Sequence, residues 1–265
     1  MTLGLRLGLI GLTACAMARS GRAQPASPQT ITYRTSSGGP LTLDYYQASG
    51  NGLHPAVILI HGGGSSQNDE EVYLARVLAS AGYAAFSINY RLVEDVERAV
   101  RFVRQEARVF EIDAAHLALL GRGAGGTMAG LAALKPDAAV QAVIAIAAVS
   151  DLRGGESAVK DPDGIRALEE ASVVMHLRAN APPFLLIHGD SDKTVDLSQS
   201  THLQTALHSA GVACDLIIIR GGGHSMEDWF SLPHLRGWEH EMVNWLNELM
   251  EHTGRPSGVL RRDPA

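Results

Sequence analysis

Four stretches of this chain hold the residue types from which acyl and proton transfer are built: His61-Gly62-Gly63-Gly64, Gly121-Arg122-Gly123-Ala124-Gly125-Gly126, His188-Gly189-Asp190-Ser191-Asp192 and Gly221-Gly222-Gly223-His224. An acid that orients an imidazole, the imidazole as base and backbone amides that stabilise a developing oxyanion suffice for acyl transfer once a nucleophile is supplied. The second stretch has the frame G-x-S-x-G of a nucleophile elbow, a strained strand-to-helix turn that holds a serine out over a sheet edge. Here the serine position is Gly123. Glycine has no side-chain atom with which to attack, and at a turn with positive φ it relieves strain on the order of 1–3 kcal/mol.

These stretches must be held by regular elements, and the hydrophobic pattern says which. Residues 30–46 alternate around Ser36-Ser37-Gly38-Gly39-Pro40, a hairpin signal. Short apolar runs at 56–61, 84–90, 117–120, 139–149, 184–188 and 215–219 predict strands buried on both faces. Between them, helical spacing predicts helices over 70–81, 94–110, from the glycine turn to 134, over 198–210 and over 235–252. Strands alternating with helices define an α/β fold: a mostly parallel central sheet, helices on both faces and an antiparallel N-terminal hairpin. The segment 150–183 has room for one or two short helices and no large cap, so an open, shallow crevice is expected. Ligands bind such sheets outside the carboxyl ends of the strands, where all four stretches fall.

A length of 265 residues with 46% hydrophobic composition suits one sizeable domain, placed at 30–252 with a tail at 253–265. The net charge of -6, without a basic run, excludes a nucleic-acid footprint. The eleven histidines show no H-E-x-x-H or H-x-H spacing, so neither a metal nor a cofactor is expected. G-R-G-A-G-G approaches a dinucleotide fingerprint, but that motif belongs on the first strand of its unit.

Residues 1–23 read as an export signal: Arg6, an apolar run over 7–18 too short for a permanent membrane span, then a polar, proline-containing segment. Two processing routes compete, signal-peptidase cleavage after a small-residue motif and a lipobox, Leu12-Thr13-Ala14-Cys15, which would leave a lipid anchor on Cys15. A periplasmic, secreted or lipid-anchored protein follows. The only other cysteine, Cys214, sits in an apolar run and reads as a buried, inert thiol.

With H-G-G-G at His61, N-Y-R-L at Asn89, the G-x-x-x-G-G frame at Gly121, H-G-x-x-D at His188 and the glycine-preceded His224, the chain resembles the secreted bacterial carboxylesterases of the α/β-hydrolase fold. It is similar in particular to the acetyl- and feruloyl-esterase branch, near dienelactone hydrolases and hormone-sensitive-lipase relatives. The resemblance implies Asp192 as the acid, with Asp190 and Asp196 as competitors, and His224 as the base. It implies the amides of Gly63, Gly64 and Ala124 as the oxyanion hole, and Gly123 where the nucleophile would stand. The expected ligand is a small-molecule ester or a carbohydrate-linked acyl group. The expected protein is a weakly active or inactive member of the group. One alternative is an active esterase using activated water or another hydroxyl, with Ser65, Ser66, Ser150 and Ser225 available. The other is a non-catalytic partner-binding protein.

Overall fold

The computed structural model describes residues 27–35, 38–63, 69–153 and 161–251. The expected export signal with Cys15, the residues Gly64, Ser65 and Ser66, and the tail at 253–265 lie outside the described residues.

The chain opens with β1 (Gln29–Arg34) and β2 (Leu41–Tyr46), followed by β3 (His54–Ile60), α1 (Asp69–Ser80), β4 (Ala84–Ile88) and α2 (Val93–Gln105). Next come β5 (Ile112–Arg122), α3 (Ala124–Ala133), β6 (Ala142–Ile146), α4 (Pro162–Glu170) and a 3-10 turn at Val173–His176. The last third holds β7 (Phe184–Gly189), α5 (Ser198–Ser209), β8 (Cys214–Ile219), α6 (Met226–Ser231), a 3-10 turn at Pro233–Leu235 and α7 (Trp238–Glu251). One eight-stranded sheet runs β1-β2-β4-β3-β5-β6-β7-β8. β2 pairs antiparallel with both β1 and β4, and the remaining pairs are parallel.

Side chains alternate across a strand, so a run that is apolar throughout must be covered on both faces. Ile58 and Ile60 of β3 join Phe86, Leu119 and Val143 in one core, closed by Val96, Val100 and Val103 of α2, Ala129 of α3, and Leu203 and Leu207 of α5. Val57 and Leu59 turn to the other side, where Leu74 and Leu78 of α1, Trp229 of α6, and Met242 and Leu246 of α7 cover them. This is the expected doubly covered sheet with its antiparallel hairpin.

Several boundaries differ from the sequence pattern, each for a backbone reason. The strand expected over 139–149 is shortened to β6 because Ala139 (φ 47°) and Ala147 (φ 46°) leave the extended region at its ends. The helix expected over 94–110 stops at Gln105, and the chain turns through Glu111 (φ 52°) into a strand that begins well before the apolar run. The last helix starts at Trp238, after Gly237 (φ 106°) and the turn at Pro233, and the unexpected α6 precedes it, burying Met226 and Trp229. Between 150 and 183 the described elements are α4 and the short 3-10 turn.

Candidate active site

The glycines at the end of β5 are set by contact. A Cβ at Gly121 would fall 2.2 Å from the Gly125 carbonyl oxygen, one at Gly125 2.1 Å from that of Ile60, and one at Gly126 2.7 Å from the Ala148 Cβ. The helix therefore lies directly on the strand ends, which no side chain at these three positions would permit. The Gly123 N–H donates to Ile146 O at 2.8 Å, and Thr127 Oγ donates to Val149 O at 2.7 Å, tying the first turn of α3 to β6 and the loop after it. Gly123 itself sits at φ 53°, ψ -121°. Among the described residues its own Cβ direction meets only the His224 imidazole, at 3.8 Å from Nε2 and 3.9 Å from Cε1.

The other side of the imidazole is anchored. His224 Nδ1 lies 2.8 Å from Asp192 Oδ2, and Asp192 Oδ1 accepts from the Thr194 and Val195 amides at 2.8 and 2.9 Å. Burial pushes the Asp192 carboxyl up, but the Val195 amide, the His224 imidazole and the Thr194 amide outweigh it and hold the group below the usual carboxylate value. Asp192 is therefore an anion at neutral pH, Nδ1 carries its proton toward it, and Nε2 is left to accept one. Asp190 accepts from the Gly221 N–H at 2.6 Å, and Asp196 from the Ser198 N–H at 2.8 Å at the start of α5. Of the three competing aspartates, the fold brings only Asp192 to His224.

The acid and histidine loops are laced together. A Cβ at Gly189 would fall 2.1 Å from the Gly222 carbonyl oxygen, and the Ser191 N–H donates to Gly222 O at 2.9 Å. His188 is wholly buried. Its Nε2 faces the Val195 carbonyl at 2.9 Å and Asp192 Oδ2 at 3.4 Å, both acceptors, so it carries a proton there and helps fix the carboxylate. His61 is likewise buried, with Nδ1 3.0 Å from Gly62 O and its ring 4.6 Å from that of Tyr90.

Of the residues expected to stabilise an oxyanion, Ala124 opens α3, and helix geometry leaves its N–H without an intrahelical acceptor. Gly63 is exposed beyond the end of β3, one residue after Gly62, whose Cβ direction points at the Arg122 carbonyl 3.1 Å away. Gly64 lies outside the described residues. Ser150 is fully buried and its Oγ donates to Gln199 O at 2.7 Å, whereas Ser225 is exposed beside His224.

Sequence reasoning missed Glu70 and Arg122. Arg122 Nε lies 2.8 Å from Glu70 Oε2, and Glu70 Oε1 accepts from the Met226 N–H at 2.7 Å. One carboxylate at the start of α1 thus joins the residue before Gly123 to the loop that bears His224. Around these groups lies a cleft of about 540 Å³ whose lining includes Asp69, Glu70, Arg122, His224, Glu227 and Phe230. A second depression, of about 690 Å³, shares Thr194 and Val195 of the acid loop but not His224. Among the described residues, no group of three or more His, Cys, Asp or Glu could hold a metal ion.

A mostly parallel sheet with an antiparallel opening pair, a glycine-packed strand-to-helix turn, and an acid and a histidine on later strand ends define the α/β-hydrolase class. Residues 43–160 and 155–207 match the family model BD-FAE, over half of the chain, and the protein belongs to that family. Among curated proteins it is similar to the esterase LipQ of Mycobacterium tuberculosis, 28% identical over a 199-residue alignment that covers 60% of this chain and 47% of that protein. It is also similar to an acetylxylan esterase of Xylanibacter ruminicola, 26% identical over a 223-residue alignment that covers 73% of this chain and 45% of that protein. The chain spans about half the length of the curated relatives it matches. Solved structures agree on the fold. A truncated carbohydrate esterase from gut microbiota superposes with a TM-score of 0.73 at 21% identity, covering 87% of this chain and 98% of that one. Butyrate-bound esterase 2 of Thermogutta terrifontis superposes at 0.69 and 22% identity, covering 88% and 97%.

Proposed function

We propose that this protein is an exported binder of esters, acids or carbohydrate-linked acyl groups, in which Gly123 stands at the nucleophile's place. In this reading ester hydrolysis is slow or absent because no acyl-enzyme can form. The observation that carries it is the Cβ direction of Gly123, which points at the His224 imidazole from 3.8 Å and, among the described residues, meets no other group within 4 Å. A hydroxymethyl group there would reach hydrogen-bonding distance of the base. The family membership and the esterase names of the relatives support an ester-type ligand.

Residual hydrolysis would use water. As a water oxygen attacks the ester carbonyl, Nε2 of His224 takes its proton. The amides of Ala124 and Gly63 receive the oxyanion, and the imidazolium returns the proton to the departing alcohol as the C–O bond breaks. Sites that lose one member of such a triad still exceed uncatalysed hydrolysis by about 10³–10⁴-fold. A second reading, an ordinary esterase with another nucleophile, draws on Ser225, exposed next to His224. Its Oγ lies 3.3 Å from Glu70 Oε1, and it is on no elbow.

Short-chain aryl ester hydrolysis and fluorophosphonate labelling of wild type, Gly123→Ser and His224→Ala separate these readings. Labelling and fast turnover gained only by Gly123→Ser are expected. A wild type that labels and turns over like an ordinary esterase overturns the proposal. Thermal melts with a panel of acids and glycosyl esters test binding, since no shift from any of them would favour a partner-binding role. Fatty-acid labelling of wild type against Cys15→Ala decides the mode of export.

A further inference from the structure

We infer that Glu70 is a positioning residue, whose one carboxylate holds the His224 loop and the turn at Gly123 in register; this rests on the site reading above, with His224 as base. The first turn of α1 carries Asp69, Glu70 and Glu71, and acids suit the start of any helix. Their charge therefore says nothing of the site. What does is where the two oxygens of Glu70 go. Oε2 lies 2.8 Å from Nε of Arg122, the residue before Gly123, and both side chains are only 13% exposed. Oε1 accepts from the Met226 N–H at 2.7 Å and from Ser225 Oγ at 3.3 Å, the two residues that follow His224. The guanidinium reaches a third loop as well, since a Cβ at Gly62 would fall 3.4 Å from Arg122 Nη2.

Other anchors of the His224 loop pull from elsewhere. The Ser191 N–H donates to Gly222 O at 2.9 Å and Asp192 Oδ2 holds Nδ1 at 2.8 Å, both from the acid loop, while Trp229 Nε1 of α6 donates to Gly223 O at 3.1 Å. Those contacts tie the loop to the acid and to the helix that follows it. Glu70 ties it to the elbow. Removing the carboxylate takes this acceptor from a guanidinium and from an amide, and the loop resettles to satisfy them with water. The imidazole moves with it, and a misplacement of about 1 Å costs on the order of 10²-fold in a reaction of this kind.

The test reads the imidazole directly and needs no turnover. The tautomer of a neutral imidazole follows from what its nitrogens bond. Proton–nitrogen NMR correlation of the histidine-labelled, full-length protein in alkaline solution, where imidazole is neutral, reports it. The His224 signal is identified by its absence in His224→Ala. Wild type is expected to hold the Nδ1–H tautomer that faces Asp192. Glu70→Ala should give a mixture with the Nε2–H form, while its melting curve shows a folded protein. Glu70→Gln keeps an oxygen for the Met226 amide and loses the charge on Arg122, so a smaller change in the same direction is expected. In the Gly123→Ser background, kcat for an aryl ester should fall at least about ten-fold with Glu70→Ala, and KM should stay within about two-fold. Glu70 lines the same cleft as His224, so a role in binding the ester would raise KM instead.

A folded Glu70→Ala in which His224 keeps the wild-type tautomer overturns the inference, as does a loss of activity carried by KM alone. If Glu70→Ala does not fold, Glu70→Gln decides by the same tautomer criterion. A folded Gly123→Ser without turnover tells against the site reading, and the tautomer comparison still judges Glu70. A wild type that lacks the Nδ1–H tautomer removes both.

Discussion

The packed glycines beneath the site and the open glycine within it obey different rules, although Gly121, Gly123 and Gly125 are only two residues apart. Cβ atoms at Gly121, Gly125 and Gly189 would fall 2.1–2.2 Å from backbone oxygens of neighbouring segments, inside any real contact. Those glycines are what bring α3 onto the strand ends and the acid loop onto the histidine loop. Gly123 has the unusual backbone, φ 53°, but no such crowding among the described residues, whose nearest atom is 3.8 Å away on a side chain. Packing therefore demands the frame of the elbow and does not demand glycine at its tip. A well-formed elbow shows that the architecture is kept and leaves the nature of the tip residue to chemistry.

The largest expected effect tests the packed half of that contrast. Gly125→Ala, or Gly189→Ala at the second junction, should destabilise the protein by about 3 kcal/mol, the upper end for overpacking against backbone that cannot retreat. Urea unfolding monitored by the fluorescence of Trp229 and Trp238, both buried, would read it. Wild-type stability for either variant would mean that these contacts are not what seats the helix or the loops.

Next in size is Asp192→Asn, expected to lose about 2 kcal/mol at neutral pH because a charge-assisted hydrogen bond to His224 becomes a neutral one. Its pH dependence follows from the lowered carboxyl of Asp192. A carboxyl lower in the folded than in the unfolded chain adds stability that is complete above the unfolded value, about 3.9, and is lost as pH falls through the folded one. The gap between wild type and Asp192→Asn should therefore close as the pH falls below about 4. A gap that widens in that acid range would reverse the assignment of the charge.

The tip itself should respond more weakly. Gly123→Ala and Gly123→Ser are each expected to cost about 1–2 kcal/mol, the strain of an L residue at positive φ, with the fold intact. An effect as large as that of Gly125→Ala would erase the distinction between frame and tip.

Much of this contrast was legible in the sequence. Five of the six apolar runs mark strands β3 to β7, which are covered on both faces, the sixth marks the edge strand β8, where Asp215 and Ile218 are exposed, and glycine, histidine and aspartate at their carboxyl ends mark the loops that meet. The strand ends were not legible where alanine takes a positive φ, at Ala139 and Ala147, since alanine carries no signal for that backbone. The early start of β5 was hidden because Asp113 and His116 interrupt its apolar pattern and pair with each other at 2.7 Å. The Glu70 link to Arg122 and Met226 depends on three segments distant in the chain, and no local pattern marks it. Cys214 was legible as a buried thiol, and burial pushes it up to about 12.

The smallest expected effect isolates backbone strain from crowding. Gly63 resembles Gly123 in having an uncrowded Cβ direction, with nothing within 4 Å among the described residues, but its φ lies outside the left-handed region. Gly63→Ala should therefore fall within about 0.5 kcal/mol of wild type, as a surface change that meets nothing does. It also keeps the amide proposed for the oxyanion, so ligand-induced melting shifts should be retained. If Gly63→Ala is neutral while Gly123→Ala loses stability, the difference is the strain of the elbow tip. Equal losses would place the penalty in the loop contacts instead.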